Sequence, residues 1–401
     1  MLKEQDIVCI SSADWDAPLW TNKQHLMSRL AESNRILYVE SLGLRTPTLA
    51  PQDRQRIKRR VKHYFLGPRK IPGKNVYVLS PLVIPYYRTA ALRALNAALL
   101  RREVLQAVRR LDMREPILWS YIPNAYALTH HLKEKLVVYH CVDDLASIAG
   151  VPRHAVQSME ERFLREADAV LTTSRALYEA RVAINPNTYL FTNVADADHF
   201  AQALEPELPV APAIAALPRP IAGYVGALDA YKVDFPFLAA VARQLSDWSF
   251  VLIGPVGQGQ PSTDLGDLKR LPNVHLLGYV EYQRIPSYLK GIDVALIPHR
   301  LSEYTQSSFP MKLYEYLAAG RPVVSTPLPA IAEVDLVRFA ATPEAFAQAV
   351  VAAWRENSPE AVARRVEEAR KHTWESRLKS FDEVLERVWQ SQRQRRQSSA
   401  P

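Results

Sequence analysis

The sequence predicts an α/β protein of two domains, each built on a parallel sheet with helices on both faces. Three observations predict it: short Val/Ile/Leu-rich runs alternate with helical patterns, the runs fall into two blocks, and a Pro/Ala-rich stretch of weak periodicity separates the blocks. At 401 residues, 48% of them hydrophobic, the chain can bury two cores of ordinary size. In the first block strands are expected at Ile7–Ile10, Ile36–Val39, Val76–Leu79, Ile117–Trp119, Leu136–Tyr139 and Ala169–Thr172. In the second they are expected at Ile221–Val225, Phe250–Ile253, Val274–Leu277, Val294–Ile297 and Val323–Ser325. Both blocks therefore read as Rossmann-like. Glu205–Pro220, EPELPVAPAIAALPRP, is the expected linker, which places the domains at residues 1–204 and 205–372. Residues 373–401 supply a last helix, from about Trp374 to Gln390, and a polar tail, SQRQRRQSSAP, of disordered composition.

Composition narrows the class. Two cysteines, Cys9 and Cys141, make no disulfide framework, so a reducing, cytoplasmic compartment is expected. The first residues, MLKEQDIVCISS, lack the apolar stretch of a signal peptide, and no window approaches the ~18 apolar residues of a membrane span. The net charge of +8 is uneven: between Asp53 and Lys70, eight cations (Arg54, Arg56, Lys58, Arg59, Arg60, Lys62, Arg69 and Lys70) stand against one acid. The next segment, Arg88–Arg110, puts Leu92, Leu95, Leu99 and Val104 near one helical face, with Arg93, Arg101, Arg102, Arg109 and Arg110 at polar positions. A basic loop before a basic amphipathic helix suits an anionic membrane surface, where each cation contributes ~1 kcal/mol. An ordinary core-packing helix has the same periodicity. Nucleic acid is not an expected partner, since no recognition helix or RNP-like motif is present.

The richest stretch runs from Ser307 to Pro327, SSFPMKLYEYLAAGRPVVSTP. Ser308 can cap a helix with Pro310 in its first turn, Gly320 can end it, and Val323-Val324 begins a buried strand. Such a helix N-terminus offers unpaired N–H groups and the positive dipole end, and anions bind there. Lys312 and Glu315 lie three apart on one face, so an ammonium can meet phosphate while a carboxylate accepts two hydrogen bonds from a ribose diol. A capped surface helix with an ion pair would leave the same pattern.

This segment resembles the donor-binding helix of retaining GT-B-type glycosyltransferases of family 4, and KLYEYLAAGRPVVST is most similar to the bacterial subgroup that builds cell-surface polysaccharides such as teichuronic acid. Other fragments follow in the expected order: WDAPLWTNKQHLMSRL, LYVES, VLSPLVIPYY, VYHCVDD, EADAVLTTS, YVGALDAYKVDFPFL, LPNVHLLGYV, DVALIPHR and TWESR. The resemblance implies a GT-B architecture, two Rossmann-like domains facing a central cleft, with the last helix returning to the first domain. It implies transfer of a sugar from a nucleotide diphosphate to a glycan or polyprenyl-linked acceptor, with retention. Without transferase activity, the alternative is a degenerate sugar-nucleotide-binding or scaffold protein.

Residue by residue, the resemblance assigns the donor site to Gly226, Ser307, Ser308, Phe309, Pro310 and Glu315, with Lys232 and Lys312 as the catalytic cations on the diphosphate. No cofactor and no metal are expected, because in the family cations replace the metal at the leaving group. Two positions depart from the pattern. Ala227 stands where the family has an arginine, leaving Lys312 or Arg300 to compensate, and Ser307 stands where it has the first of two glutamates seven residues apart. Glu315 matches the second, and Phe309 the phenylalanine between them.

In the first domain, Asp143 and Asp144 end an apolar strand, the edge where ligands gather in open parallel sheets. Adjacent strand residues point to opposite sides, so only one should face that edge, and Asp144 is the catalytic candidate. His140 lies beside them as an acceptor-side candidate or a buried core histidine. Asp14 and Asp16 form an Asp-x-Asp pattern after the first strand, which places Asp16 and Trp20 on an acceptor-side loop; Trp15 and Trp20 read equally as sugar-stacking surfaces or as core.

Overall fold

The computed structural model describes residues 1–42, 63–64, 66–84, 89–148 and 150–398. The basic cluster from Arg54 to Lys62 lies outside the described residues. The chain forms two compact units, residues 1–192 with 378–401, and residues 193–377.

The first unit holds an eight-stranded sheet: β1 (Asp6–Ile10), β2 (Arg35–Val39), β3 (Arg69–Lys70), β4 (Val76–Leu79), β5 (Ile117–Ser120), β6 (Leu136–Cys141), β7 (Ala169–Thr172) and β8 (Thr188–Leu190). Its order is β3-β4-β2-β1-β5-β6-β7-β8, parallel except for β3 against β4. Strands β1, β5 and β6 are buried almost throughout, as Val/Ile/Leu-rich runs in a doubly covered sheet must be.

The second unit holds six parallel strands: β9 (Ile221–Val225), β10 (Ser249–Ile253), β11 (Val274–Gly278), β12 (Val294–Ile297), β13 (Val323–Ser325) and β14 (Val337–Phe339). The order β11-β10-β9-β12-β13-β14 runs outward in both directions from β9 and β12. That is the doubly wound Rossmann order, whose switch point lies between β9 and β12, and two apolar clusters cover the sheet's two faces.

Four expectations need correction. Residues 193–204 and Glu205–Pro220 belong to the second unit, because Phe200, Ala203, Ala211 and Ile214 sit in its core. The helix over residues 90–110 buries Asn96, Leu100, Val104, Ala107 and Val108, while Leu95 is 44% exposed, so the buried stripe is rotated from the expected one. The last helix runs from Trp374 to Ser398, past the expected stop at Gln390, and takes in most of the tail. Its Phe381 packs on Trp119, His140 and Phe191 in the first unit. The fourth correction concerns the helix after Pro310.

Candidate functional site

Two short helices replace the one expected. Glu303–Ser307 carries a capping box between Ser302 and Thr305, and Ser308 ends it in extended backbone. Lys312–Ala318 follows with Met311 at its N-cap, so Ser308 does not cap it and Pro310 lies just outside it. Pro310 still shapes the start, since its carbonyl accepts from the Leu313 amide at 3.2 Å. Ser307 donates to the Tyr304 carbonyl at 3.1 Å, and Phe309 stacks on Tyr314 while its carbonyl accepts from Asn193 at 2.8 Å. These four residues frame the helix start rather than converge on one point. The C-terminus is as expected: Gly320 (φ +69°) ends it in a Schellman motif, with Gly320 N–H on the Leu317 carbonyl and Arg321 N–H on that of Tyr316, both at 2.9 Å.

What converges is charge at the carboxyl end of β9. Tyr316 accepts the Val225 amide at 2.8 Å and so locks the helix to that strand. Directly after the strand, Gly226 has φ +143°, and a Cβ there would overlap Cε and Nζ of Lys312. The Lys312 ammonium also stands over the Tyr224 ring, 5.3 Å from its centroid. Tyr224 is fully buried and donates to the Ala227 carbonyl at 3.2 Å. Lys232 ends the turn that follows, its amide on the Asp229 carbonyl at 3.0 Å and its own carbonyl accepting from Arg300 N–H at 2.8 Å.

The electrostatics mark these groups as neighbours. Burial first, and the Lys232 cation second, pull the Lys312 ammonium down to about 8, against Glu315, which holds it up. Burial raises Glu315, and the two lysines oppose it. His299, two residues beyond β12 and 2% exposed, is pushed well below its usual value by burial and then by Lys232 and Lys312, so it stays neutral. Its ring meets Tyr224 edge-on at 6.3 Å, and its Nε2 is buried without a hydrogen bond. Asp229, 2% exposed, accepts from the Gly259 and Gln260 amides at 3.0 Å and ties the loop after β10 to the loop after β9.

Lys232, Lys312, Glu315 and Gly226 are thus brought together at the switch point of the second unit, where α/β sheets bind ligands. The arrangement can receive an anion with two phosphates on the lysines while Glu315 accepts hydroxyl protons. Arg300 contributes backbone to it and has an exposed side chain. Sequence reasoning missed Tyr224, Asp229, His299 and Tyr316; a tyrosine two residues before a strand-ending glycine was the available signal.

The other predicted residues lie in the first unit. Asp144 stands 3.6 Å from Arg181, which is bound by Glu160 at 3.0 Å, so its carboxylate belongs to a partly buried ion cluster. Asp143 pairs instead with Lys23 at 3.5 Å; β6 stops at Cys141, so both aspartates lie in the loop beyond the strand rather than ending it, and strand alternation does not place them. Asp16 forms an ion pair with Arg69 at 2.6 Å. Trp20 lies 5.3 Å from Trp15, which is 4% exposed and packs on Tyr38. His140 is 1% exposed among Trp119, Tyr121 and Phe381, the core placement rather than a surface one. Among the described residues no group of three or more His, Cys, Asp or Glu could hold a metal ion.

Comparison with known proteins meets this geometry. Residues 219–356 match the family described as Glycosyl transferases group 1, a span from just before β9 to just past the helix at Pro343–Arg355. Over 230 residues, 54% of this chain, the sequence is 28% identical to the TuaH protein of Bacillus subtilis (strain 168), which is named for a glycosyltransferase of teichuronic acid biosynthesis; the match takes in 57% of that protein. Sucrose-phosphate synthase from Thermosynechococcus elongatus aligns at TM-score 0.67 and 17% identity, covering 97% of this chain and 100% of that one. Anabaena Alr3699/HepE, in complex with UDP and glucose, aligns at TM-score 0.66 and 14% identity over 96% and 100%. Trehalose 6-phosphate synthase from Burkholderia multivorans aligns at TM-score 0.66 and 14% identity over 97% and 99%. At these identities the structural likeness is one of fold, that of the GT-B glycosyltransferases.

Proposed function

From the match of residues 219–356 to the group 1 glycosyl transferases, we propose that this protein moves a sugar from a nucleotide-diphosphate donor to a glycan or lipid-linked acceptor in surface polysaccharide biosynthesis, with retention at the anomeric carbon. The observation that carries the proposal is the meeting of Lys232, Lys312 and Glu315 at the end of β9. Glu315 accepts from the ribose hydroxyls. Lys232 and Lys312 offset charge on the diphosphate as the bond to the anomeric carbon breaks, and that stabilisation is greatest in the transition state. The acceptor hydroxyl enters on the face the diphosphate leaves, and the turnover uses no divalent metal. A UDP complex of a protein of the same fold, and a relative named for teichuronic acid synthesis, support a sugar-nucleotide donor and a polysaccharide product.

Release of nucleoside diphosphate from a panel of nucleotide sugars, with and without acceptor, tests the reading. Glu315→Ala is expected to lose most nucleotide affinity while the protein stays folded, since a charged hydrogen-bond pair contributes ~1.5–3 kcal/mol. Turnover should survive EDTA and fall in Lys232→Ala. Activity that vanishes with EDTA and returns with magnesium, in a Lys232→Ala protein that is otherwise unimpaired, would overturn the site.

For the acceptor side we propose peripheral contact with anionic lipid through the cations between Arg54 and Lys70, in a cytoplasmic protein. No described helix is long and apolar enough to cross a membrane. Co-sedimentation with phosphatidylserine vesicles should weaken in high salt and on charge reversal at Arg56, Lys58, Arg59 and Arg60; binding indifferent to both sinks the proposal.

A further inference from the structure

We propose that Tyr224 and Gly226 are positioning residues for Lys312, and that the seat they form lets this lysine stand in for the cation missing at Ala227. The inference rests on the reading of Lys312 as a cation for the diphosphate and concerns how the chain holds it there. A lysine is a point charge on four rotatable bonds, so its usefulness at a fixed phosphate depends on what restricts it. Among the described residues no hydrogen bond or ion pair holds this ammonium; the ring of Tyr224, 5.3 Å away, and the bare Cα of Gly226 do. Gly226 is the second constraint because a side chain there would fill the space that Cε and Nζ occupy.

The seat is itself fixed. Tyr224 is buried within β9, and its hydroxyl donates to the carbonyl of Ala227 at 3.2 Å, so one residue carries the ammonium on its face and pins the turn with its edge. That turn is where the family resemblance implies an arginine and this chain has the methyl group of Ala227. The lysine enters from another element, the Lys312–Ala318 helix, which Tyr316 fastens to the same strand through the Val225 amide. His299 meets the Tyr224 ring edge-on and is neutral, so it adds no further charge near the two lysines. Glu315, three residues along the helix, makes no ion pair with Lys312, which leaves the ammonium available to an incoming anion.

The test uses the full chain, folding checked by circular dichroism, and calorimetric affinities for whichever of UDP, GDP and ADP binds best and for its parent nucleoside. Tyr224→Leu should weaken the diphosphate about tenfold and the nucleoside less than about twofold, as expected when one charged contact is lost. Tyr224→Phe keeps the ring and should weaken the diphosphate less. Gly226→Ala is strained at φ +143° in either background, so the reading is the difference between them: it should weaken the diphosphate about tenfold more in the otherwise native chain than when Lys312→Ala is already present and the overlap with Cε and Nζ is gone. Ala227→Arg should restore part of the affinity lost in Lys312→Ala. The inference is overturned if Gly226→Ala costs the same in both backgrounds, if diphosphate and nucleoside weaken together, if Tyr224→Leu changes nothing, or if Ala227→Arg in a folded protein restores nothing. If Lys312→Ala leaves diphosphate affinity unchanged, or no diphosphate binds, the proposed donor site fails first and takes this inference with it.

Discussion

Lys312 shows how a single residue can be held at a cost to stability in order to be ready for a ligand. Its ammonium is largely removed from water, stands near a second lysine, and is drawn down to about 8. A lysine whose folded value lies below its unfolded value of ~10.4 destabilises the folded state at neutral pH, because the unfolded chain binds the proton more tightly. That penalty fades as pH rises from about 8 towards the unfolded value. Lys312→Met should therefore raise the melting temperature of the ligand-free protein at pH 7, by about 2 °C or more, while weakening nucleoside diphosphate binding. The sign for binding is opposite: a dianion favours the charged lysine, so affinity should be greatest below pH 8 and decline as pH rises through it. Melting curves and titrations at pH 7 and pH 9 check both. A variant that both loses stability and keeps its affinity would show that Lys312 is a packing residue.

At the scale of elements, what could be read from the sequence is what hydrophobic period and glycine chemistry encode. Val76–Leu79, Ala169–Thr172, Ile221–Val225, Val294–Ile297 and Val323–Ser325 form strands over the expected residues, because buried β-branched runs in parallel sheets have few alternatives. The strands left out, β3, β8 and β14, are short edge or near-edge pieces with charged or exposed residues, such as Arg69, Lys70 and Arg338, which local pattern does not separate from loop. The helix after Pro310 was placed correctly at its end and wrongly at its start. Gly320 demands a left-handed residue, which is a local property, whereas Ser308 is held in extended backbone by the preceding helix at Glu303–Ser307, which its own neighbours do not announce. The family resemblance singles out Lys232, Glu315 and Gly226, but nothing in the sequence indicates the seat under Lys312, since Tyr224 meets it only after β9 and the helix have packed. Gly320→Ala follows from the same geometry. At φ +69° an alanine costs ~1–2 kcal/mol, and its Cβ would press on Leu204 and Val362 at 2.9 Å. Urea unfolding should show a loss of that size in the second unit; a loss under ~0.5 kcal/mol would mean the Schellman turn is not what ends this helix.

At the scale of the whole molecule, two sheets of the same winding carry different kinds of polar residue at their carboxyl edges. In the first unit those residues are already paired, Asp143 with Lys23 and Asp144 with Arg181 and Glu160. In the second they include Lys312, which burial and the nearby Lys232 draw down, and a buried histidine whose Nε2 has no hydrogen bond among the described residues, a cationic set suited to an incoming anion. Each unit also has its own apolar core, the first gathered around Val8, Leu118 and Phe163, the second around Leu317 on one face and Phe250 on the other. Separate cores predict that thermal unfolding resolves into two transitions, and that nucleoside diphosphate moves only one of them. A ligand at 100 times its dissociation constant stabilises the state that binds it by ~2.7 kcal/mol, which for a unit of this size is a shift of several degrees. Calorimetry with and without UDP or its counterparts measures this directly, and the shifted transition can be assigned with Gly320→Ala, which lies in the second unit. If the ligand shifts the transition that Gly320→Ala leaves alone, the nucleotide binds the first unit, and the assignment of Lys232, Lys312 and Glu315 to the donor is wrong.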